Sequence, residues 1–357
     1  MRFNLLSCLR TSAFGAIALF ALLPRPLAQV NGGRHVFQSL ALSPASRITA
    51  LGGIQIAVRD DDPVFATQNP AALNPLMNGQ LSFQHNFFLS DIQHGYAAYA
   101  HQLPRLGFTV HGGIQYLNYG EIPYADEFGN QSGEVKARET SLVLGASRPL
   151  SERLSLGLNL RLASATLDAW NASAITADAG LMYADTARRL TIGAVLRNAG
   201  AQFSAFDQTR ESLPLDLQIG ITKRLKYLPF RFGVMAHSLL RRDIYHDDPR
   251  LQTQNSGGFF DDPTARQGNK AVDNFFRHLA FNGEFLIGRN EAFRLRFGYN
   301  HLRKRELSVR NYRSLAGFSG GIGLKFSRFR LDAGFATYHL AGGVFHVGIG
   351  SNLREFF

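Results

Sequence analysis

The feature that most constrains the fold is a short run in which every second residue is leucine. Residues 154–162 read Leu-Ser-Leu-Gly-Leu-Asn-Leu-Arg-Leu. A period of two places all of the leucines on one face of an extended strand and the small, polar or charged residues on the other. The run therefore predicts a strand that has one apolar face and one polar face.

The same alternation recurs along most of the chain after residue 79. It predicts fourteen strands, at about 80–89, 92–102, 105–118, 135–147, 152–167, 173–184, 189–198, 213–223, 229–239, 277–288, 292–301, 315–326, 329–338 and 344–354. Strands of about 9–11 residues suit a tilted crossing of a bilayer. The prediction is an all-β transmembrane barrel of about 14 antiparallel strands over residues 80–357, and a soluble β-sandwich or solenoid is the competing interpretation.

The first 28 residues are predicted to be a secretory signal. Arg2 and Arg10 precede an apolar run at 13–23, and a small-residue cleavage site follows at Ala28. The run is short for a membrane span, and a buried core helix is the alternative. Cys8, the only cysteine, lies inside this segment, so the exported chain has no disulfide or thiolate chemistry.

The charge of the chain points to an anionic environment. The sequence has 38 basic and 27 acidic residues, a net charge of +11, and cleavage after Ala28 removes three arginines to leave +8. A basic exported protein is expected to meet lipopolysaccharide, polysaccharide or lipid headgroups. Nucleic acid is excluded as a partner outside the cytoplasm.

Residues 29–79 are predicted to form a plug made of short helices and turns. The segment is rich in Ala, Asn, Pro and Asp and lacks sustained alternation. It contains the acidic run 60–62 and the motif Asn69-Pro70-Ala71. The three consecutive carboxylates are compatible with a divalent-cation site or with a solvated turn that caps a helix. No cofactor is predicted.

The predicted connections differ between the two ends of the barrel. Those on one side are short, whereas the other side has long connections at Tyr119–Glu134, Ala199–Ser212, Leu240–Phe276 and Leu302–Ser314. Short periplasmic turns and longer outer loops are typical of outer-membrane barrels. Trp170 falls near the outer end of its hairpin, which is an interface position favoured by amphipathic rings.

The polar faces of the predicted strands suit a barrel lumen. One hairpin provides a check, because its apolar rows place Glu284 opposite Arg294 or Arg296. An inward ion pair is expected there, since an arginine on the lipid face costs about 2–4 kcal/mol near the bilayer midplane. No serine–histidine–acid set or histidine pair has the spacing of a catalytic or metal site, so no enzymatic activity is predicted.

A basic run at 301–313 is the strongest surface feature. Its positive charges are Arg303, Lys304, Arg305, Arg310 and Arg313, against one acid. The predicted topology places the run outside the cell. Two interpretations remain open, namely contact with lipopolysaccharide phosphates or a partner protein, and a solvated rim.

Several stretches together resemble a known family. The ordered set 43–47, 50–53, 60–62 and 69–73 is similar to the plug region of FadL-type barrels. Together with residues 112–120, 296–300 and 336–342, it resembles the PorQ family of the type IX secretion system. The similarity extends over roughly residues 32–353.

The resemblance implies a fourteen-stranded, FadL-like barrel with an N-terminal plug and no enzymatic activity. It further implies action with the surface proteins PorZ, PorU and PorV, which join secreted cargo to lipopolysaccharide. Three functions stay open on this basis. They are a docking component of the secretion system, a FadL-like transporter of hydrophobic small molecules, and a general porin, which the plug segment disfavours.

Overall fold

A computed structural model gives the structure of the chain. It describes residues 35–88, 91–125, 128, 130–207, 210–244, 270–307, 315–339 and 342–356. The predicted signal segment at 1–28 lies outside the described residues. No helix in the described part of the chain is long and apolar enough to cross a membrane.

Fourteen antiparallel strands close into a barrel, as the alternation predicted. Each strand pairs with its neighbours in sequence, and β1 pairs with β14 to complete the ring. The strands are β1 Gln80–Phe87, β2 Gln93–Leu103, β3 Phe108–Ala125, β4 Gln131–Pro149, β5 Leu154–Leu167, β6 Trp170–Asp185, β7 Leu190–Ser204, β8 Asp216–Arg224, β9 Phe230–Ala236, β10 Leu279–Ile287, β11 Phe293–Asn300, β12 Phe318–Phe326, β13 Phe329–His339 and β14 Gly342–Asn352.

The leucines of β5 lie on the outside of the barrel. Leu156, Leu158, Leu160 and Leu162 are 38–57% exposed, while the residues between them are buried in the lumen. The other strands repeat this arrangement, so a continuous apolar band surrounds the wall. Such a band needs lipid around it. The protein is therefore an outer-membrane barrel, and the sandwich interpretation is wrong.

Two of the long outer loops predicted from the sequence are partly strand. The stretch Tyr119–Glu134 was predicted as a loop, but β3 continues to Ala125 and β4 begins at Gln131. Glu121 lies opposite Lys136 in this extension, and opposite charges across a pair favour continued pairing. Likewise β7 runs to Ser204, into the predicted loop Ala199–Ser212. Polar strand residues beyond the lipid are difficult to distinguish from loop by hydropathy.

Short helices form in the other two long outer connections, where none was predicted. Helix α2 spans Lys270–Arg277 between β9 and β10, and helix α3 spans His301–Glu306 between β11 and β12. Residues 245–269 and 308–314 of these connections lie outside the described residues. At the opposite end of the barrel the turns are short, and β1 begins and β14 ends there. Because short turns are typical of the periplasmic side of outer-membrane barrels, this is the periplasmic end.

Residues 35–79 form short helices whose side chains are mostly buried inside the barrel. Helix α1 spans Ser46–Ala50, and 3-10 helices follow at Pro63–Thr67, Pro70–Ala72 and Pro75–Met77. Each of these three 3-10 helices starts with proline, and the residue before it, Asp62, Asn69 or Asn74, accepts a hydrogen bond from the backbone N–H two positions later. A further 3-10 helix, Gln38–Leu40, precedes α1 and has no such cap. We call residues 35–79 the plug.

Candidate functional site: the plugged lumen

Asn69 fixes one side of the plug to the barrel wall. Its side-chain oxygen accepts from the N–H of Ala71 at 3.0 Å. Its amide donates to the carbonyl of Ile56 at 2.9 Å and to that of Leu181, on β6, at 3.3 Å. The motif Asn69-Pro70-Ala71 thus caps a helix and binds the wall with one side chain.

Glycines on the lumen face of β5 and β6 make room for this contact. A Cβ on Gly157 would lie 2.3 Å from the backbone nitrogen of Ala71, and a Cβ on Gly180 would lie 2.1 Å from the side-chain oxygen of Asn69. Gly157 and Gly180 are directly paired across the two strands. Close approach of the plug therefore requires glycine at both positions.

Helix α1 meets the opposite part of the wall in the same way. It packs mainly against β11, β12, β13 and β14. A Cβ on Gly334 of β13 would fall 2.3 Å from the carbonyl oxygen of Ser46, and one on Gly298 of β11 would fall 2.2 Å from the nitrogen of Gly52. Wall glycines thus accommodate the plug on two sides of the lumen.

Glu284 is the centre of a buried set of ion pairs beside α1. Its carboxylate accepts from Arg296 at 2.7 Å and also pairs with Arg231. Arg47 of the plug lies 3.5 Å away, with only 1% of its side chain exposed. Glu284 and Arg296 face each other in the strand register, which is one of the two arrangements that the sequence left open.

Arg294, the other partner considered for Glu284, takes a different position. It lies opposite Leu286 in the register and is 3.6 Å from Glu291, near the periplasmic turn. It is 4% exposed, and two of its guanidinium nitrogens have no hydrogen-bond partner among the described residues. Arg294 shares the carboxylate of Glu291 with Arg224, so the three groups together leave a net positive charge in the periplasmic half of the lumen.

The acidic run Asp60-Asp61-Asp62 belongs to the same set of ion pairs. Arg47 lies 2.5 Å from Asp60 and 3.4 Å from Asp62. From the wall, Arg330 lies 2.8 Å from Asp62. Among the described residues no group of three or more His, Cys, Asp or Glu is arranged to hold a metal ion. The run binds the plug to wall cations, and only the prediction of a helix cap at Asp62 agrees with the structure.

We call the complete set the ionic anchor. Its members are Arg47, Asp60, Asp61, Asp62, Arg231, Glu284, Arg296, Lys325, Arg330 and Asp332. Most of these charges are buried, so removal of one partner leaves another uncompensated in a low-dielectric lumen. Breaking a buried pair in this way typically costs about 3–5 kcal/mol. The anchor joins the plug firmly to β9–β13.

The wall on the β2–β4 side is built from small residues. Ala97 and Gly112 face outward, and Ala98 and Gly113 face the lumen. We call these four residues the thin wall. A lipid-facing groove crosses it, bordered by Leu81, Tyr99, Ile114, Leu142, Leu144, Leu160 and Leu162.

The apolar part of the plug lies directly behind the thin wall. Ala98 and Val143 line the outer groove and belong to one buried cluster with Ile48, Val64 and Phe65 of the plug. Tyr96 lines an adjoining groove over β1–β3 and belongs to the same buried cluster. Its hydroxyl has no hydrogen-bond partner among the described residues. Membrane and plug are separated here by one layer of sheet, with small or apolar side chains on both of its faces.

At the outer mouth, α2 and α3 are joined by ion pairs. Asp273 accepts from Arg277 at 2.8 Å, from Arg305 at 2.5 Å and from His301 at 3.2 Å. Partial burial alone would raise the pKa of Asp273, but these hydrogen bonds lower the pKa to about 2. The carboxylate is therefore ionised at neutral pH and holds the two helices together.

The predicted basic surface is divided by the structure. Arg305 is exposed but pairs with Asp273, and Lys304 is half-buried on the same helix. Arg303 turns inward, where its guanidinium lies 4.8 Å from the centre of the Tyr338 ring and close to Gly53 of the plug. Arg310 and Arg313 lie outside the described residues.

The fold of the chain is similar to that of solved outer-membrane channels. The chain is similar to the deltaS2 mutant of the TodX monoaromatic hydrocarbon channel, with TM-score 0.53, 12% identity, and coverage of 87% of this chain and 97% of that one. It is similar to the CymD monoaromatic hydrocarbon channel, with TM-score 0.52, 13% identity, and coverage of 89% and 99%. The chain has a FadL-like outer-membrane barrel fold. No protein-family model matches it, and no curated protein matches it in sequence.

Several residues of this FadL-like lumen were not identified from the sequence. The alternating pattern predicts which strand positions face inward, and it predicts Glu284 and Arg296 as lumen residues. The wall residues Arg231, Arg330 and Asp332 are also charges at inward positions and could have been found by the same rule. The lumen-facing glycines carried a usable signal as well, because they recur on the polar face of neighbouring strands.

Proposed function

We propose that this protein is a plugged outer-membrane channel that passes small hydrophobic molecules. The observation that carries the proposal is the thin wall, where a lipid-facing apolar groove and the apolar plug cluster share residues Ala98 and Val143. On this proposal a hydrophobic solute leaves the lumen there, where small or apolar side chains line both faces of the hydrogen-bonded sheet and the strands must part to let it through. The fold shared with TodX and CymD, both described as monoaromatic hydrocarbon channels, supports this choice of substrate class.

Uptake of radiolabelled benzene tests the proposal. Cells that lack their own hydrocarbon channels would be given this protein, an empty vector, or the variant Gly112→Phe, which fills the outer groove. Faster uptake with the protein than with the vector is expected, and Gly112→Phe should remove most of the gain. Ala194→Phe, an outward substitution on β7 away from the groove, is the matched control.

Equal benzene uptake with the protein and with the vector, at confirmed outer-membrane levels, would reject transport of this substrate class. Equal uptake in Gly112→Phe and Ala194→Phe would reject the thin wall as the exit. The two results are separate, so a channel with another exit remains distinguishable from a protein that does not transport.

A second candidate is a docking component of the type IX secretion system, as the PorQ-like stretches imply. In this case PorZ, with PorU and PorV, would bind the outer face and join secreted proteins to lipopolysaccharide. The ordered outer layer of α2 and α3 and the buried ionic anchor, which would hold the plug in place, favour this candidate. Lys304 and Arg305, with Arg310 and Arg313, would contact phosphates or a partner.

Affinity purification from outer membranes tests the docking candidate. The intact protein should recover surface or secretion proteins, and deletion of Leu240–Phe276 should abolish the recovery if that connection is the docking site. Charge reversal at Lys304 and Arg305 should weaken binding to lipopolysaccharide. Recovery of no such partners by the intact protein would reject this candidate.

A further inference from the structure

A polar pocket opens at the periplasmic mouth, between the plug and the ends of β6–β9. It is separate from the thin wall, which belongs to β2 and β3. The plug contributes residues 57–59, and the wall contributes the remaining lining: Ala184, Asp185, Thr186, Arg189, Leu190, Thr191, Thr222, Arg224 and Arg231. Four arginines and one carboxylate therefore face the same small space.

Two of these arginines have no compensating carboxylate. Arg59, half-buried on the plug, makes no ion pair or side-chain hydrogen bond with any described residue. Arg189 donates to the backbone carbonyls of Leu225 at 3.0 Å and Lys226 at 3.1 Å, contacts that leave its positive charge uncompensated. The pocket thus concentrates positive charge.

The other charged groups of the pocket are already paired. Arg224 lies 2.5 Å from Glu291, and Arg231 belongs to the ionic anchor. Asp185 lies 3.3 Å from Arg153, outside the pocket lining. Since these groups are paired, the net positive charge of the pocket comes from Arg59 and Arg189.

Thr222 adds a buried hydroxyl at the edge of the pocket. It lines the pocket from β8, is only 4% exposed, and its hydroxyl has no hydrogen-bond partner among the described residues. A buried hydroxyl without a partner costs about 1–3 kcal/mol. The oxygen is enclosed, so a rotation of the Thr222 side chain is needed to bring the hydroxyl to an acceptor seated in the pocket, and that contact would remove the cost.

We propose that this pocket binds a small oxyanion, a molecule with a phosphoryl or carboxylate group. Arginine presents its N–H groups in a planar fork that matches both groups, and two uncompensated arginines suit a dianion. The Thr222 hydroxyl donates a further hydrogen bond to the same group. The site does not depend on transport of hydrophobic molecules, because it shares no residue with the thin wall or its grooves.

Isothermal titration of the purified full-length protein at low salt tests the site, with inorganic phosphate and succinate as probes. Arg59→Gln and Arg189→Gln should each weaken binding by about tenfold or more, the value of one charge-assisted hydrogen bond. Thr222→Val keeps the shape and should weaken binding severalfold without lowering stability. Arg105→Gln, on the turn after β2, removes an equal charge outside the pocket and should leave binding unchanged.

The outcomes separate the possible ligands. Tighter binding of phosphate identifies a phosphoryl site, and tighter binding of succinate identifies a carboxylate site. No binding of either anion would overturn the proposal, and so would binding that falls equally in Arg59→Gln and Arg105→Gln. Retained heat-modifiable mobility on gels confirms that each variant barrel is folded.

Discussion

The two sides of the plug contact the barrel in different ways. Towards β9–β13 the plug is held by the ionic anchor, in which Arg47 and the acidic run meet buried wall charges such as Glu284 and Arg330. Towards β2–β4 it packs apolar side chains against small residues, and the backbone N–H groups of Gln38 and Ser39 donate hydrogen bonds to Glu139 on β4. Removal of one charge from the ionic anchor lowers the free energy of unfolding strongly, because its partners stay buried without compensation. Removal of a small apolar group from the other side lowers it only modestly. The comparison indicates which side fixes the plug, and the proposed exit lies on the other side.

Substitution of Glu284 should have the largest effect. Glu284→Gln leaves Arg47, Arg231 and Arg296 without their shared carboxylate. We expect a loss of about 3–5 kcal/mol in the free energy of unfolding. Denaturant titration of the refolded barrel measures it, and Glu152→Gln, at an exposed carboxylate in the turn between β4 and β5, is the control and should change stability by less than about 1 kcal/mol. Equal losses in both variants would refute the special role of the anchor.

The glycine contact should give the next effect. Gly157→Val places a branched side chain where the backbone of Ala71 lies, so the plug must shift. Overpacking of this kind typically costs about 1–3 kcal/mol. Limited proteolysis should then cleave residues 63–73 faster than in the native protein. Gly320→Ala, whose Cβ would meet nothing closer than 3.6 Å, should cleave at the native rate.

On the apolar side, a small deletion should be tolerated. Ile48→Val removes one methylene from the cluster behind the thin wall, and the expected cost is about 0.5–1.5 kcal/mol. The same denaturant titration measures it. A loss as large as that of Glu284→Gln would mean that both sides of the plug are held equally firmly.

The ion pairs of Asp273 at the outer mouth are more exposed than the ionic anchor, and their contribution can be tested by pH. Since the pKa of Asp273 is lowered to about 2, its contribution is complete above the ordinary value of 3.8 and is lost as the pH falls towards 2. Hydrogen exchange of α2, expressed relative to the intrinsic amide rate at each pH, should therefore accelerate only below about pH 4. Asp273→Asn should accelerate it at neutral pH, and added salt should reduce the difference. A relative exchange rate that stays constant down to pH 2 would contradict this assignment.

The sequence predicted the barrel well because lipid imposes a period of two on every strand. The number of strands, the outward leucines of β5 and the inward position of Glu284 all follow from that period. It could not predict α2 and α3, because short helices outside the lipid leave no such pattern. The ionic anchor also depends on which strands the plug touches, and this is a property of closure that no local pattern contains. The sequence shows Asp60, Asp61 and Asp62 as three consecutive carboxylates, but it does not show which cations they meet.

Benzene uptake by Tyr96→Ala tests the central claim most directly. The Tyr96 ring lies over Gly113, at the point where the groove over β1–β3 meets the plug cluster. Its removal opens the apolar layer and leaves the ionic anchor intact. At equal amounts of folded protein, we predict faster uptake than in the native protein. Uptake that is unchanged or slower in Tyr96→Ala would contradict the thin wall as the path between lumen and membrane.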